Sequence, residues 1–230
     1  TQIGAFMSMV CSSMTDLKLP TPQQHTIVVQ PTDNTRAFIA LSDGSITLGG
    51  SDSGLRSQTP PWSGLGNNVD WSVTSRVEFL LDGNWEQFNQ FTSPPGSERG
   101  ILLGLAGHRQ NIELSSPLPI SEFPDGVFWT LTGDVTLQYD GASLYAAVIY
   151  ERLKDFAPSV PSSNYVGYVF QGSTYVTNQT ELYARWEAGG SDTVNFGDEE
   201  LMILTLGANH YLDGQDLKLT ADVMFSFGEV

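Results

Sequence analysis

Phe128-Trp-Thr-Leu-Thr-Gly-Asp-Val-Thr-Leu-Gln-Tyr139 separates its residues into two sets by parity. Trp129, Leu131, Val135, Leu137 and Tyr139 fall on one side, with Gly133 in the gap. Phe128, Thr130, Thr132, Asp134, Thr136 and Gln138 fall on the other. Successive side chains of a β-strand point to opposite faces, so this period of two predicts a strand with one oily and one wet face. The pattern returns at Glu181–Ala188, where Leu182, Ala184, Trp186 and Ala188 oppose Glu181, Tyr183, Arg185 and Glu187. It returns again at Asp216–Phe227, where Leu217, Leu219, Ala221, Val223, Phe225 and Phe227 oppose Asp216, Lys218, Thr220, Asp222, Met224 and Ser226. Repeated strands of about ten residues built this way are the mark of an all-β, transmembrane antiparallel β-barrel.

Composition fits that expectation. Hydrophobic residues make up 40% of the 230, and no apolar run is long enough for a membrane helix. A barrel conceals its hydrophobicity in alternation, so modest bulk hydropathy does not argue against one. Glycine at 23 and proline at 12 suit many strands and turns. Ten basic against 26 acidic residues give a net charge of −16, which leaves no basic footprint for nucleic acid. Cys11 stands alone, without a disulfide partner or metal-type spacing. The opening residues Thr1-Gln-Ile-Gly4 do not form a signal peptide.

Eight strands are predicted from residue 71 onward, at roughly 71–81, 100–110, 128–139, 143–152, 165–176, 181–188, 201–212 and 216–227. Before them, Gly4–Cys11, His25–Gln30 and Arg36–Ser42 read as strands, Ile46–Gly49 as a further short one, and residues 50–70 as a loop. Nothing divides the chain, so residues 1–230 are expected to form one barrel domain carrying about 10–11 strands. Asp140-Gly141 and Asp213-Gly214 are favoured hairpin dipeptides, and Thr177–Thr180 is similarly tight. The connections at 111–127, 153–164 and 189–200 are long and rich in turn formers. Outer-membrane barrels pair short periplasmic turns with long extracellular loops. Alternation of the connections puts 82–99 on the periplasmic side despite its length. It also makes the strand at 216–227 end outside, so a return strand is expected after it.

Two segments resemble the phosphate-selective porin O and P family, its planctomycete-type members above all. One is Trp71-Ser-Val-Thr-Ser-Arg-Val-Glu-Phe79 with Asp82-Gly-Asn-Trp-Glu-Gln-Phe-Asn-Gln-Phe-Thr-Ser93. The other is Leu206-Gly-Ala-Asn-His-Tyr-Leu-Asp-Gly-Gln-Asp-Leu-Lys-Leu-Thr-Ala-Asp222. The resemblance covers residues 70–230. It implies a sixteen-stranded porin, trimeric in the bacterial outer membrane, of which this chain would lack early strands and the last one. Phosphate as the solute would follow from the family only. The residues themselves show no ladder of Arg and Lys of the kind that would replace the hydration of a multiply charged oxyanion.

In such a barrel strand parity assigns roles. Arg76, Glu78, Asp134, Glu181, Arg185, Glu187, Lys218 and Asp222 are expected to line the pore, either as solvated, mutually paired charges or as part of a selectivity ring. Trp129, Leu131, Leu137, Trp186, Leu204, Leu206, Leu219 and Phe225 are expected to face lipid. Trp71, Trp129, Tyr139, Tyr150, Tyr165, Tyr168, Trp186, Tyr211 and Phe227 are candidates for aromatic girdles. No cofactor, metal or catalytic chemistry is indicated. His25, His108 and His210 are scattered, and the acidic group Asp192, Asp198, Glu199 and Glu200 reads as a solvated loop. The glycosylation-like Asn178-Gln-Thr180 falls in a turn. Expected partners are outer-membrane lipid, small solutes or ions, and further copies of the chain. Alternation leaves one competing reading, a soluble β-sandwich of carbohydrate-binding or capsid-like type, whose apolar face would be sealed inside. An enzyme on a β scaffold finds no Ser/His/acid grouping in support.

Overall fold

A computed structural model of the chain describes residues 25–42, 67–114, 126–154, 162–191 and 200–227. These form one ten-stranded antiparallel sheet in which each strand pairs with the next in sequence. The strands are β1 (His25–Thr32), β2 (Thr35–Ser42), β3 (Asn67–Asp82), β4 (Gly100–Leu114) and β5 (Gly126–Tyr139). They continue with β6 (Ala142–Lys154), β7 (Ser163–Tyr175), β8 (Thr180–Ser191), β9 (Glu200–Asp213) and β10 (Leu217–Phe227). The sheet is not closed among the described residues, and β1 and β10 are its edges. The fold is therefore all-β. The only described helix is a 3-10 turn at Trp85–Asn89.

The eight strands expected after residue 71 are all present, several of them longer than alternation suggested. β3 begins at Asn67, inside the stretch 50–70 that reads as a loop. The reason is visible in its register. Val69 pairs with Ile112, and a bulge between Val69 and Trp71 restores the pairing beyond it. A bulge breaks the period of two on which the sequence reading depends. The predicted strands Gly4–Cys11 and Ile46–Gly49 lie outside the described residues, as do residues 192–199 of the acidic loop.

Turn chemistry fixes the hairpins at one end of the sheet. Asp140 and Gly141 both adopt positive φ, 33° and 83°, as a two-residue hairpin turn matching strand twist requires. Gly214 has φ 51°, and the Asp216 amide closes its turn onto the Asp213 carbonyl at 3.0 Å. Between β7 and β8 the Thr177 hydroxyl accepts from the amides of Gln179 and Thr180. From β4 through β9 the register runs without a shift, so every strand presents the same parity to the same face.

The two faces differ in burial, and in an unusual sense. The polar face is the covered one: Gln110 and Gln138 are 1% exposed, and Glu187 is 3%. The apolar face is open: Leu105 is 59% exposed, Leu131 53% and Leu219 61%. Among the described elements no second sheet or helix layer lies over the polar face. A single sheet that hides one face without a second layer does so by curling toward it, and at one end residues 83–99 add cover by bonding to Gln138, Ser143 and Glu181. Contacts between strands two apart occur on that face, such as Arg76 of β3 with Asp134 of β5, and Tyr175 of β7 with Tyr211 of β9.

Candidate functional site

The eight residues expected on the pore wall all share the polar face, and the eight expected to face lipid all share the apolar face. Exposure on the apolar face is uneven. Leu131, Leu137, Leu206, Leu219 and Phe225 are exposed, while Trp129, Trp186 and Leu204 are half-buried by their neighbours. Trp186 leans on Phe170 at 5.6 Å, and Trp129 meets Tyr150 edge-on at 5.2 Å. Two of the proposed girdle aromatics do not belong with the rest. Tyr211 is 5% exposed, stacked on Tyr175, and on the polar face. Tyr165 shares that polar face, opposite Glu151. Both lie near strand ends, and end position alone cannot tell the two faces apart.

The charges gather into separate groups. Arg76 donates from Nη1 to Asp134 Oδ2 at 2.6 Å and from Nη2 to Asp134 Oδ1 at 2.9 Å. Its Nε donates to Glu78 Oε1 at 2.8 Å. One guanidinium thus holds two carboxylates, by a two-pronged bond to Asp134 and a single bond to Glu78. The bond to Asp134 crosses over β4, whose residue at the crossing is Gly104, in register with both Glu78 and Asp134. A Cβ at Gly104 would run into the Arg76 guanidinium and lie 2.5 Å from Asp134 Oδ2. The same device recurs across β9. The Tyr183 hydroxyl of β8 donates to Asp222 Oδ2 of β10 at 2.9 Å, over Gly207, which is in register with both. A Cβ at Gly207 would collide with the Tyr183 ring. Each glycine opens the space through which side chains two strands apart meet.

The other expected residues sit elsewhere on this face. Arg185 Nε and Glu187 Oε2 form a 3.1 Å ion pair without hydrogen-bond alignment, and the Arg185 side chain remains 38% exposed. Lys218 sits 6.0 Å from the Tyr211 ring centroid. Glu151, which the sequence reading passed over, is 4% exposed on the same face. The polar face of β1–β10 thus carries Glu78, Asp134, Glu151, Glu181, Glu187 and Asp222 against Arg36, Arg76, Arg185 and Lys218. Acids outnumber bases there as they do in the whole chain. His108 and His210 are bonded to hydroxyls, of Thr74 and Thr180.

The segment between β3 and β4 is part of this site in a way sequence did not show. Residues 83–99 lie at the same end of the sheet as the short turns, and they lean onto the polar face. The Asn84 side chain caps the 3-10 turn by accepting from the Gln87 amide. Trp85 donates from its indole to the Asp33 carbonyl, and Arg36 stacks over its ring at 4.0 Å. Further along, the carbonyls of Gln90 and Phe91 accept from Gln138 of β5 and Ser143 of β6. Thr92 donates to Glu181 Oε1 of β8 at 3.0 Å and lies 3.0 Å from the Tyr175 hydroxyl of β7. The Gly96 amide donates to Asp140 in the β5–β6 turn. One segment therefore straps β2 to β8 across the polar face.

Glu181 is the far anchor of that strap. Its Oε2 also accepts from Asn209 at 2.9 Å and from the Tyr211 hydroxyl at 2.5 Å. Glu181→Ala removes the acceptor for all three donors, at an expected cost of about 1–3 kcal/mol. Limited proteolysis should then cut within residues 83–99 faster than in the parent chain, with Glu181→Gln showing a smaller change because one acceptor oxygen remains. Equal cutting rates for all three chains would show that Glu181 does not hold the segment.

No protein-family model, curated protein or solved structure matches this chain.

Proposed function

We propose that this chain forms the wall of an outer-membrane porin, a water-filled channel for passive diffusion of small solutes or ions. The observation that carries the proposal is the inverted burial of the sheet. Leu105, Leu131 and Leu219 stand open on one face while Gln110, Gln138, Glu181 and Glu187 crowd the other. Water does not favour that arrangement, because exposed apolar area costs roughly 25 cal/mol per Å². Hydrocarbon does favour it, because lipid solvates the leucines and the lumen solvates the charges. A soluble β-sandwich would reverse the faces and would need a second sheet, which is absent among the described residues.

The resemblance to phosphate-selective porins extends this reading to a sixteen-stranded trimer. Phosphate itself finds little support on the polar face. Arg76 is already held by Asp134 and Glu78, and Arg185 is beside Glu187. We assign the channel a preference for cations or neutral solutes over multiply charged anions. The strap at residues 83–99 narrows the mouth at the short-turn end.

The test is electrical. The full chain, inserted into planar bilayers under a salt gradient, should give discrete conductance steps and a reversal potential on the cation-selective side. Arg185→Glu should move that potential further in the same direction, because Arg185 is the more exposed member of its ion pair. An unchanged potential would remove Arg185 from the conducting path. A chain monodisperse in water without detergent, and inactive in bilayers, would overturn the porin.

A further inference from the structure

Polar side chains of β7–β9 stand together on the polar face with their hydrogen-bonding capacity unused. Gln171 of β7 is in register with Arg185 of β8, and Arg185 with Thr205 of β9. Glu187 follows Arg185 by two residues on the same strand and so on the same face. Arg185 Nε and the Thr205 hydroxyl are buried without a hydrogen-bond partner, and Thr205 is 2% exposed. Among the described residues the half-buried Gln171 amide makes no hydrogen bond either. Other charges on this face are held differently. Arg76 is bonded to Asp134 and Glu78, and Glu181 accepts from three donors. A buried polar group left unpaired costs free energy, so a run of them marks a place where something outside the chain supplies the bonds.

The row lies one step inward of the strap. Ser143 donates to the Phe91 carbonyl and lies 2.6 Å from the Ser173 hydroxyl. Two residues on from Ser143, Tyr145 is in register with Gln171, and its ring meets Phe91 edge-on at 5.5 Å. Phe91 itself is 55% exposed. With strands about 4.8 Å apart, the row from Tyr145 to Thr205 spans about 14 Å. Aromatic rings thus close one end of a line of hydrogen-bonding groups.

Charge selects the occupant. Glu187 Oε2 is 3.1 Å from Arg185 Nε, and the Glu187 side chain is 4% exposed against 38% for Arg185. The acid offsets the charge of the arginine while remaining covered. The open groups are then guanidinium and amide N–H donors and an amide oxygen, without net charge. Hydroxyl groups both donate and accept, and an aromatic face takes the C–H edge of a saturated ring. A zwitterion would need Glu187 for its ammonium group, and Glu187 is not open to it. We infer that the row Gln171, Arg185 and Thr205, with Phe91 and Tyr145 at its end, is a binding site for a neutral carbohydrate in the lumen. The inference rests on the porin reading, since it needs this face to enclose water.

The experiment separates the two. Maltose is added in steps to both sides of a planar bilayer holding the full chain, and the open-channel current is corrected for bulk conductivity. The current should fall saturably, with half-block at about 10 mM, the affinity that a few net hydrogen bonds to a mobile solute allow. Gln171→Ala and Phe91→Ala should each raise the half-block concentration about fivefold, as loss of one net contact predicts. That concentration is read within each chain, so a change in open conductance does not enter. Where Gln171→Ala fails to insert, Phe91→Ala, on the exposed segment, gives the same reading. Conductance steps that maltose leaves unreduced, or a half-block concentration that neither variant moves, overturn the carbohydrate site alone. Block by glycine and not by maltose at equal concentration reassigns the row to a zwitterion and overturns the carbohydrate. Absence of conductance steps in any bilayer overturns the porin and this site together.

Discussion

Gly104→Val is expected to lower the stability of the sheet by about 3 kcal/mol, a low-end value for disrupting a buried ion pair. The low end applies because the Arg76 side chain is 17% exposed and can turn toward water. Any side chain at position 104 occupies the space through which Arg76 reaches Asp134. The guanidinium must withdraw, and the Asp134 carboxylate, only 5% exposed, loses its two-pronged partner. Urea or thermal unfolding in detergent measures the loss. A second comparison identifies its cause. In an Arg76→Gln, Asp134→Asn background there is no ion pair to break, so the cost of Gly104→Val should fall by more than half. Equal costs in the two backgrounds would show that the glycine serves the backbone and not the bridge. Gly207, beneath the Tyr183–Asp222 bond, provides a weaker version of the same test, since β10 is an edge and its residues are exposed.

Leu131→Arg carries the second large expectation. Leu131 is in the middle of β5, 53% exposed, between Gly107 and Tyr150 on the neighbouring strands. In a bilayer a cation at the midplane of a barrel's outer face costs about 2–4 kcal/mol. The same substitution on the water-facing surface of a soluble sheet is expected to lie within about 0.5 kcal/mol of neutral. Folding into vesicles monitored by protease protection therefore divides the two. A drop in folded fraction matching 2–4 kcal/mol supports lipid contact at Leu131. A neutral result in a chain that folds would turn the apolar face toward water.

Alternation was legible because it depends only on backbone geometry. Phe128–Tyr139 declares two faces whatever surrounds it, and its parity carries unbroken from β4 to β9 because no bulge intervenes. Asp140-Gly141 was legible for a similar reason: few residue pairs accept two successive positive φ angles. Elsewhere the local signal failed. The extension of β3 to Asn67 was hidden by its bulge. Tyr211 resembled an interfacial aromatic until its hydroxyl was seen on Glu181. Gly104 and Gly207 read as ordinary strand glycines, because the residues that need their space lie on neighbouring strands, 15 to 30 positions away in the chain: Arg76 and Asp134 for one, Tyr183 and Asp222 for the other.

The amino-acid order by itself determined where strands run, where they turn and which residues share a side, since these follow from steric rules acting over two or three residues. It left open which side would be hidden. That depends on the direction in which the whole sheet curls, a property summed over ten strands and their pairings. Only the tertiary structure left the leucines open and covered the carboxylates. It also laid residues 83–99 across the polar face from β2 to β8, because these meetings join residues that are distant along the chain and close only once it has folded.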